Sequence, residues 1–133
     1  MSEFKLIIVT PDGTVYNGMA ESVIVRTVTG DVGILKGHEP YVAALGVGMS
    51  KIKINGEWKN AACSGGVINV DDESTKIVAN TFEWADDIDV VRAEIAVDNA
   101  KKIIDSSVDT KTVEKAQIKL YRALTRLNVA KNK

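Results

Sequence analysis

The hydrophobic pattern of this chain changes period once, just after Trp84, and that single change limits the fold to a β-rich block followed by helices. Before the change, apolar residues alternate or gather in short β-branched runs. Phe4 to Val9 is one such run, closed by Pro11-Asp12-Gly13, where proline presets φ, aspartate bonds nearby backbone and glycine accepts positive φ. Ser22 to Val28 is a second, and Lys51-Ile52-Lys53-Ile54 places both isoleucines on one face and both lysines on the other. Asn55-Gly56 then predicts a two-residue hairpin turn. Val67 to Val70 and Lys76 to Ala79 add two strands across the polar turn Asp71-Asp72-Glu73-Ser74. Short strands at this spacing predict an antiparallel β-sandwich or flattened barrel over residues 1–84.

Residues 85–133 read as a helical hairpin. Asp86 or Asp87 is expected to cap a first helix, in which Val90, Ala93, Val97, Ala100 and Ile104 recur at spacings of three and four. Ser106 to Thr110 is too polar to continue it, and Asp109 or Thr110 caps a second helix with the stripe Val113, Ala116, Leu120, Ala123, Leu127 and Ala130. A connection this short makes the helices antiparallel neighbours. Alanines at the facing positions allow close approach but bury little area, so the seam is weak and the hairpin can open or dock elsewhere.

Charge separates the two helices. Glu83 to Asp98 carries six acidic residues against Arg92, whereas Lys111 to Lys133 carries seven basic residues against Glu114. Over the whole chain the formal net charge is only -1, which argues against a general nucleic-acid or anionic-membrane binder. Cys63 is the only cysteine among 133 residues, so an intramolecular disulfide is excluded and a reducing compartment fits best. Met1-Ser2-Glu3 opens without the basic stretch of a leader, and no apolar run approaches the ~20 residues of a spanning helix.

Catalytic signals are missing. His38 is the single histidine, and no zinc spacing, phosphate loop or dinucleotide fingerprint is present. Gly46-Val47-Gly48 reads as a bulge or bend in a strand. No catalytic residue, metal site or required cofactor is expected, and the chain is not expected to be an enzyme by itself.

Two segments are more informative. Gly30-Asp31-Val32-Gly33-Ile34-Leu35-Lys36-Gly37-His38-Glu39-Pro40, joined to the later Ser64-Gly65-Gly66, specifies a fixed turn path between strands. Ile88-Asp89-Val90-Val91-Arg92-Ala93 opens the first helix, with Asp89 and Arg92 three apart on one face, a spacing that also suits a surface ion pair. In this order, on this β-then-hairpin plan, the two segments resemble the epsilon subunit of bacterial F-type ATP synthases over essentially the whole chain. The resemblance implies a ten-stranded β-sandwich on a rotor stalk at the cytoplasmic face of the membrane, bound to the gamma subunit and resting near the c-ring. It also implies a hairpin that extends toward the alpha and beta subunits of the catalytic head and restrains ATP hydrolysis.

The resemblance further implies ATP as a regulatory ligand of Glu83, Asp89, Arg92, Ala93, Arg122 and Arg126, and a c-ring contact through Asp31 and His38. The residues themselves leave alternatives open. Lys115, Lys119, Arg122 and Arg126 form a basic stripe. For the two lysines a solvated face is the expectation, whereas the guanidinium forks suit phosphate oxygens, and a packed hairpin is expected to bring them beside Arg92. Asp31 is as well explained by turn capping, and His38 by packing. Asn99 stands where related ATP-binding chains often carry another arginine, which removes one phosphate contact. A free-standing ATP-sensing module using the same arginines is the alternative function.

Overall fold

A computed structural model describes residues 2–132. Seven strands come first: β1 Phe4–Thr10, β2 Gly13–Ala20, β3 Ser22–Thr27, β4 Gly30–Ile34, β5 Tyr41–Ile54, β6 Glu57–Val70 and β7 Ser74–Trp84. A 3-10 turn, Ala85–Asp87, leads to α1 Val90–Ser106 and α2 Thr110–Lys131. The β-then-hairpin plan is the one expected. The strands number seven rather than ten because β5 and β6 each run unbroken for 14 residues, joining segments that turn signals alone would separate.

The strands form one sheet in the order β2-β1-β7-β6-β5-β3-β4. It is antiparallel except where β1 runs parallel to β7. Asn55 and Gly56 have φ of 51° and 79°, as the two-residue turn between β5 and β6 requires. Leu6 and Ile8 of β1, Val23 and Val25 of β3, Ile34 of β4 and Ile77 of β7 share a single core although their strands lie far apart in the sheet. The sheet therefore folds over on itself, which is how a single sheet makes a sandwich.

The fold-over runs along one line across three strands. Leu45, Gly66 and Ala79 are register partners, as are Val47, Ser64 and Thr81. On one side of that line β7 buries odd-numbered residues, Thr75, Ile77 and Ala79; on the other it buries Phe82. β6 switches in the same place, from Ile68 and Val70 to Ala61 and Cys63. Gly66 makes the switch possible. Its φ is +121°, and a Cβ there would lie 2.1 Å from the Val78 carbonyl oxygen, so only glycine fits. The expected bend near Gly46 is thus part of a line shared by β5, β6 and β7.

Ala62 and Ser64 are buried too, although they point to the opposite face from Ala61 and Cys63. The helical hairpin covers them. Ala62, Ala85, Ile88 and Val129 make a second, smaller apolar cluster, with Met49 and Ala130 at its margin. The C-terminal half of α2 is thereby fastened to β5, β6 and the 85–87 turn, and α1 rides on α2.

Candidate functional site

The start of α1 is set by Asp89. Its side chain accepts a hydrogen bond from the Arg92 backbone N–H at 3.1 Å, satisfying one of the donors a helix N-terminus leaves free. Asp86 and Asp87, the expected caps, lie in the preceding 3-10 turn instead. The reason is steric economy around Ile88, which is buried in the small cluster with Val129 and holds the chain extended for one more residue before the helix begins. The Asp89 bond goes to Arg92 main chain rather than to its guanidinium. Asp109 caps α2, accepting from the Lys111 N–H at 3.3 Å and the Thr112 hydroxyl at 2.7 Å. Only residues 107–109 separate the helices.

The seam between α1 and α2 buries Ala93, Val97 and Ala100 from one side and Ala116 and Ala123 from the other. Val90, expected in this stripe, is 42% exposed, while Val129, absent from it, is fully buried against the sheet. α2 thus has two apolar faces in different directions. The periodic stripe marks only the one toward α1.

Small side chains leave space where α1, α2 and the sheet meet. A cavity of about 520 Å³ lies there, with Val47, Ala62, Cys63, Ser64, Thr81 and Glu83 on the sheet wall. Ala96, Asn99, Ala100 and Ile103 supply the α1 wall. Lys119, Arg122, Ala123, Thr125 and Arg126 supply the α2 wall. Three cationic side chains and one carboxylate face this space, a formal surplus of two positive charges.

Glu83 is committed to Arg126. Arg126 Nη2 donates to Glu83 Oε2 at 3.1 Å, and Nε lies 2.7 Å from Oε1 without its hydrogen aimed at that oxygen. The side chains are 24% and 33% exposed, so this ion pair is less screened than a surface one. It ties α2 to the end of β7. Asn60 adds a side-chain hydrogen bond to the Asn132 carbonyl at the far end of α2.

Of the residues expected to meet a nucleotide, the fold therefore brings Glu83, Arg122 and Arg126 together around one cavity. Asp89, Arg92 and Ala93 stand apart. Ala93 is fully buried in the helix seam, Asp89 serves as the cap, and Arg92 is exposed and does not line the cavity. Arg92 lies one helical turn before Ala96, on the face of α1 that carries Ala96, Asn99 and Ile103, but is not among the residues that line the cavity. Asn99 is on that wall. Lys119, exposed as expected of a solvated face, also borders the cavity, as do Ser64, from the Ser64-Gly65-Gly66 segment, and Thr81, which no sequence signal marked.

Cys63 is on the wall but is chemically quiet. Burial pushes its thiol up to about 11, opposed by a smaller effect of Ser50.

Asp31 and His38 lie elsewhere. Asp31 pairs with its register partner Arg26 across β3 and β4, Nε to Oδ1 at 2.5 Å, and that guanidinium holds the Asp31 carboxyl below the usual carboxylate range. The His38 ring meets the Tyr41 ring edge-on at 5.8 Å, and its Nδ1 lies 2.7 Å from the Glu39 carbonyl oxygen. Among the described residues no group of His, Cys, Asp and Glu is arranged to hold a metal ion, and no helix is long and apolar enough to cross a membrane.

Comparison with known proteins bears on both parts of the chain. Residues 3–85 match the family described as ATP synthase delta/epsilon chain, beta-sandwich domain, and residues 86–131 match its long alpha-helix domain. The ATP synthase epsilon chain of Ruminococcus albus is 38% identical over 134 residues, covering 100% of both chains. That of Bacillus velezensis is 41% identical over 132 residues, covering 99% of this chain and 100% of its own. Among solved structures, a chain of the Euglena gracilis mitochondrial ATP synthase superposes with a TM-score of 0.82 at 22% identity, covering 94% of this chain and 79% of that one. A chain from the Tetrahymena thermophila mitochondrial ATP synthase central stalk and c-ring gives 0.62 at 12% identity, with 96% of each chain covered.

Proposed function

We infer what this chain does from the premise that it belongs to the ATP synthase delta/epsilon chain family, which makes it a non-catalytic rotor subunit of an F-type ATP synthase. Its hairpin is the regulatory part: docked on the sheet it leaves ATP hydrolysis free, and extended toward the alpha and beta subunits it restrains hydrolysis. The observation that carries this reading is how little holds the hairpin down. Among the described residues, Val129 and Ile88 are the only large apolar side chains fully buried in the cluster beneath α2, with Met49 partly buried at its margin, assisted by the Glu83–Arg126 pair and the Asn60 bond. Burying one valine is worth about 1.5–3 kcal/mol. A latch of this size can be released by an alternative docking surface of modest affinity.

The β domain is the fixed part, bound to the gamma subunit and set against the c-ring. An apolar surface supports the first contact. Val78 and Val67 are register partners, 47% and 43% exposed, and Val42, on the same face of β5, is 67% exposed. Three such valines on adjacent strands are an apolar patch of the kind that marks an interface. Asp31 and His38 lie on the β4–β5 segment offered to the c-ring, and because Asp31 is already neutralised by Arg26, its contribution there is one of shape more than of free charge.

ATP is the proposed ligand of the cavity. Its size, its cationic surplus and the retained donors of Arg126 suit a phosphate-bearing anion, with Arg122 and Arg126 on phosphate oxygens and Glu83 holding Arg126 in place. A ligand that spans α1, α2 and the sheet stabilises the docked hairpin by its differential affinity for that state. Deleting the residues after Asp86 in the assembled synthase is expected to leave the complex together and raise its hydrolysis rate. Unchanged hydrolysis would overturn the restraint.

A further inference from the structure

Gly48 is a glycine that its own backbone does not explain. It lies inside β5 without a positive φ, yet a Cβ built on it would stand 2.7 Å from Arg26 Cβ and 2.9 Å from Arg26 Cγ. The stem of Arg26 therefore crosses from β3 onto β5 through a slot that only a glycine leaves open. At its far end the guanidinium donates to Asp31, its register partner on β4, with Nε 2.5 Å from Oδ1. Arg26 is thus a cation laid along the outer face of the sheet and held at both ends.

A cavity of about 490 Å³ lies between this cation and the side of α2 that faces away from Glu83. Arg26, Asp31 and Lys51 border it from the sheet, and Tyr121, Thr125 and Asn128 border it from the helix. Spacings of four and three put these three residues along one side of α2. Arg126, five residues after Tyr121, is turned about 140° from it and reaches Glu83 on β7. Asp31 holds the Arg26 guanidinium above its ordinary range, and Tyr121 adds a smaller push in the same direction, as a phenol oxygen beside a cation does. We propose that Arg26 is a second latch of the docked hairpin, acting on the Tyr121 hydroxyl from β3 while Glu83 acts on Arg126 from β7. Tyr121 lies eight residues before Val129, about 12 Å along the helix axis, so the latch and the apolar cluster hold different turns of α2.

The latch deepens the reading of the hairpin as the regulatory part and takes its meaning in the synthase from that reading. Two measurements keep them apart. Amide hydrogen exchange is followed in the full-length chain and in Tyr121→Phe, Arg26→Met and the double variant, with circular dichroism confirming the fold of each. Tyr121→Phe removes a single oxygen, and Arg26→Met removes the charge while keeping an apolar stem over Gly48. Both side chains are about half exposed, which keeps the contact modest. Each single variant is expected to lower α2 protection roughly three- to fivefold, and the double variant no further than the larger single loss. Protection of Ile68 and Ile77 in the main core is expected to change far less. Unchanged α2 protection in Tyr121→Phe, or losses that multiply in the double variant, overturns the latch. In the assembled synthase Tyr121→Phe is expected to slow ATP hydrolysis; undiminished hydrolysis alongside lost α2 protection overturns the regulatory reading and the role of the latch within it.

Discussion

Replacing Val129 by alanine tests how the hairpin is held. Val129 is fully buried in a cluster whose other buried residues, among those described, are Ala62, Ala85 and Ile88, with Met49 and Ala130 at its margin. The substitution removes two carbons, at about 0.8 kcal/mol each in transfer terms, and leaves a cavity whose walls are short side chains on a stiff sheet. A loss of about 2 kcal/mol in docking follows, which is roughly a 30-fold shift toward the undocked hairpin. Alanine is the better helix former, so the α2 helix gains a few tenths of a kcal/mol at the same time. Any loss of protection in α2 then reports docking and not fraying. Amide hydrogen exchange is the assay. α2 amides should lose about 30-fold in protection, and those of Ile68 and Ile77, in the main core that Val129 does not touch, should change far less. In the assembled synthase the same variant should hydrolyse ATP more slowly, because the extended state is more populated. Equal losses in sheet and hairpin, or none in α2, would refute the reasoning.

Gly66→Ala should be among the most damaging single changes in the β domain, with a melting temperature lowered by many degrees, since its Cβ meets the Val78 carbonyl oxygen at 2.1 Å and its φ is +121°. Cys63, with its thiol near 11, should react with iodoacetamide at pH 8 more than a hundredfold slower in the folded chain than after denaturation, where an ordinary thiol of ~8.5 is about a quarter ionised. The same shift has a sign for stability: the unfolded thiol ionises first, so stability falls as pH rises above ~8.5, by up to about 1.4 kcal/mol per pH unit, and Cys63→Ser should abolish that slope. Asp31 has a depressed carboxyl, so its pairing with Arg26 stabilises the chain above ~3.9 and is lost as pH falls through the folded value. Both side chains are about half exposed, so Asp31→Asn should cost less than ~1 kcal/mol at pH 7 in denaturant titration and flatten the acid limb.

The change of period after Trp84 was sufficient to divide the chain, because alternation in strands and a spacing of three to four in helices are properties of local backbone geometry. Asn55-Gly56 and Asp109 were legible for the same reason, since a positive-φ turn and an N-cap are local chemistry. The family resemblance was legible from the glycine-rich run and the segment from Ile88 to Ala93. Which aspartate begins α1 was not, because burial of Ile88 decides it, and that depends on Val129 some forty residues away. Nor was the parallel pairing of β1 with β7, which joins the two ends of the β domain.

The site shows the division most clearly. Residue types and spacing identified Arg122 and Arg126 as phosphate-suited, whereas Glu83 entered only through the family resemblance. They could not say that Arg126 is the one drawn in toward Glu83 while Lys119, Arg122 and Arg92 stay exposed, since all four are helix-surface cations at regular spacing. Periodicity locates a residue on a helix face, but which face meets the sheet is set by a second apolar contact, here Val129 on Ala62 and Ala85. That contact sets the rotation of α2 at which Arg126 reaches Glu83 on β7. The sequence by itself determined the parts and their chemistry, through interactions between near neighbours. The tertiary structure decided which charges meet, because that depends on how a helix is docked, and docking is a balance of contacts between residues distant in the chain.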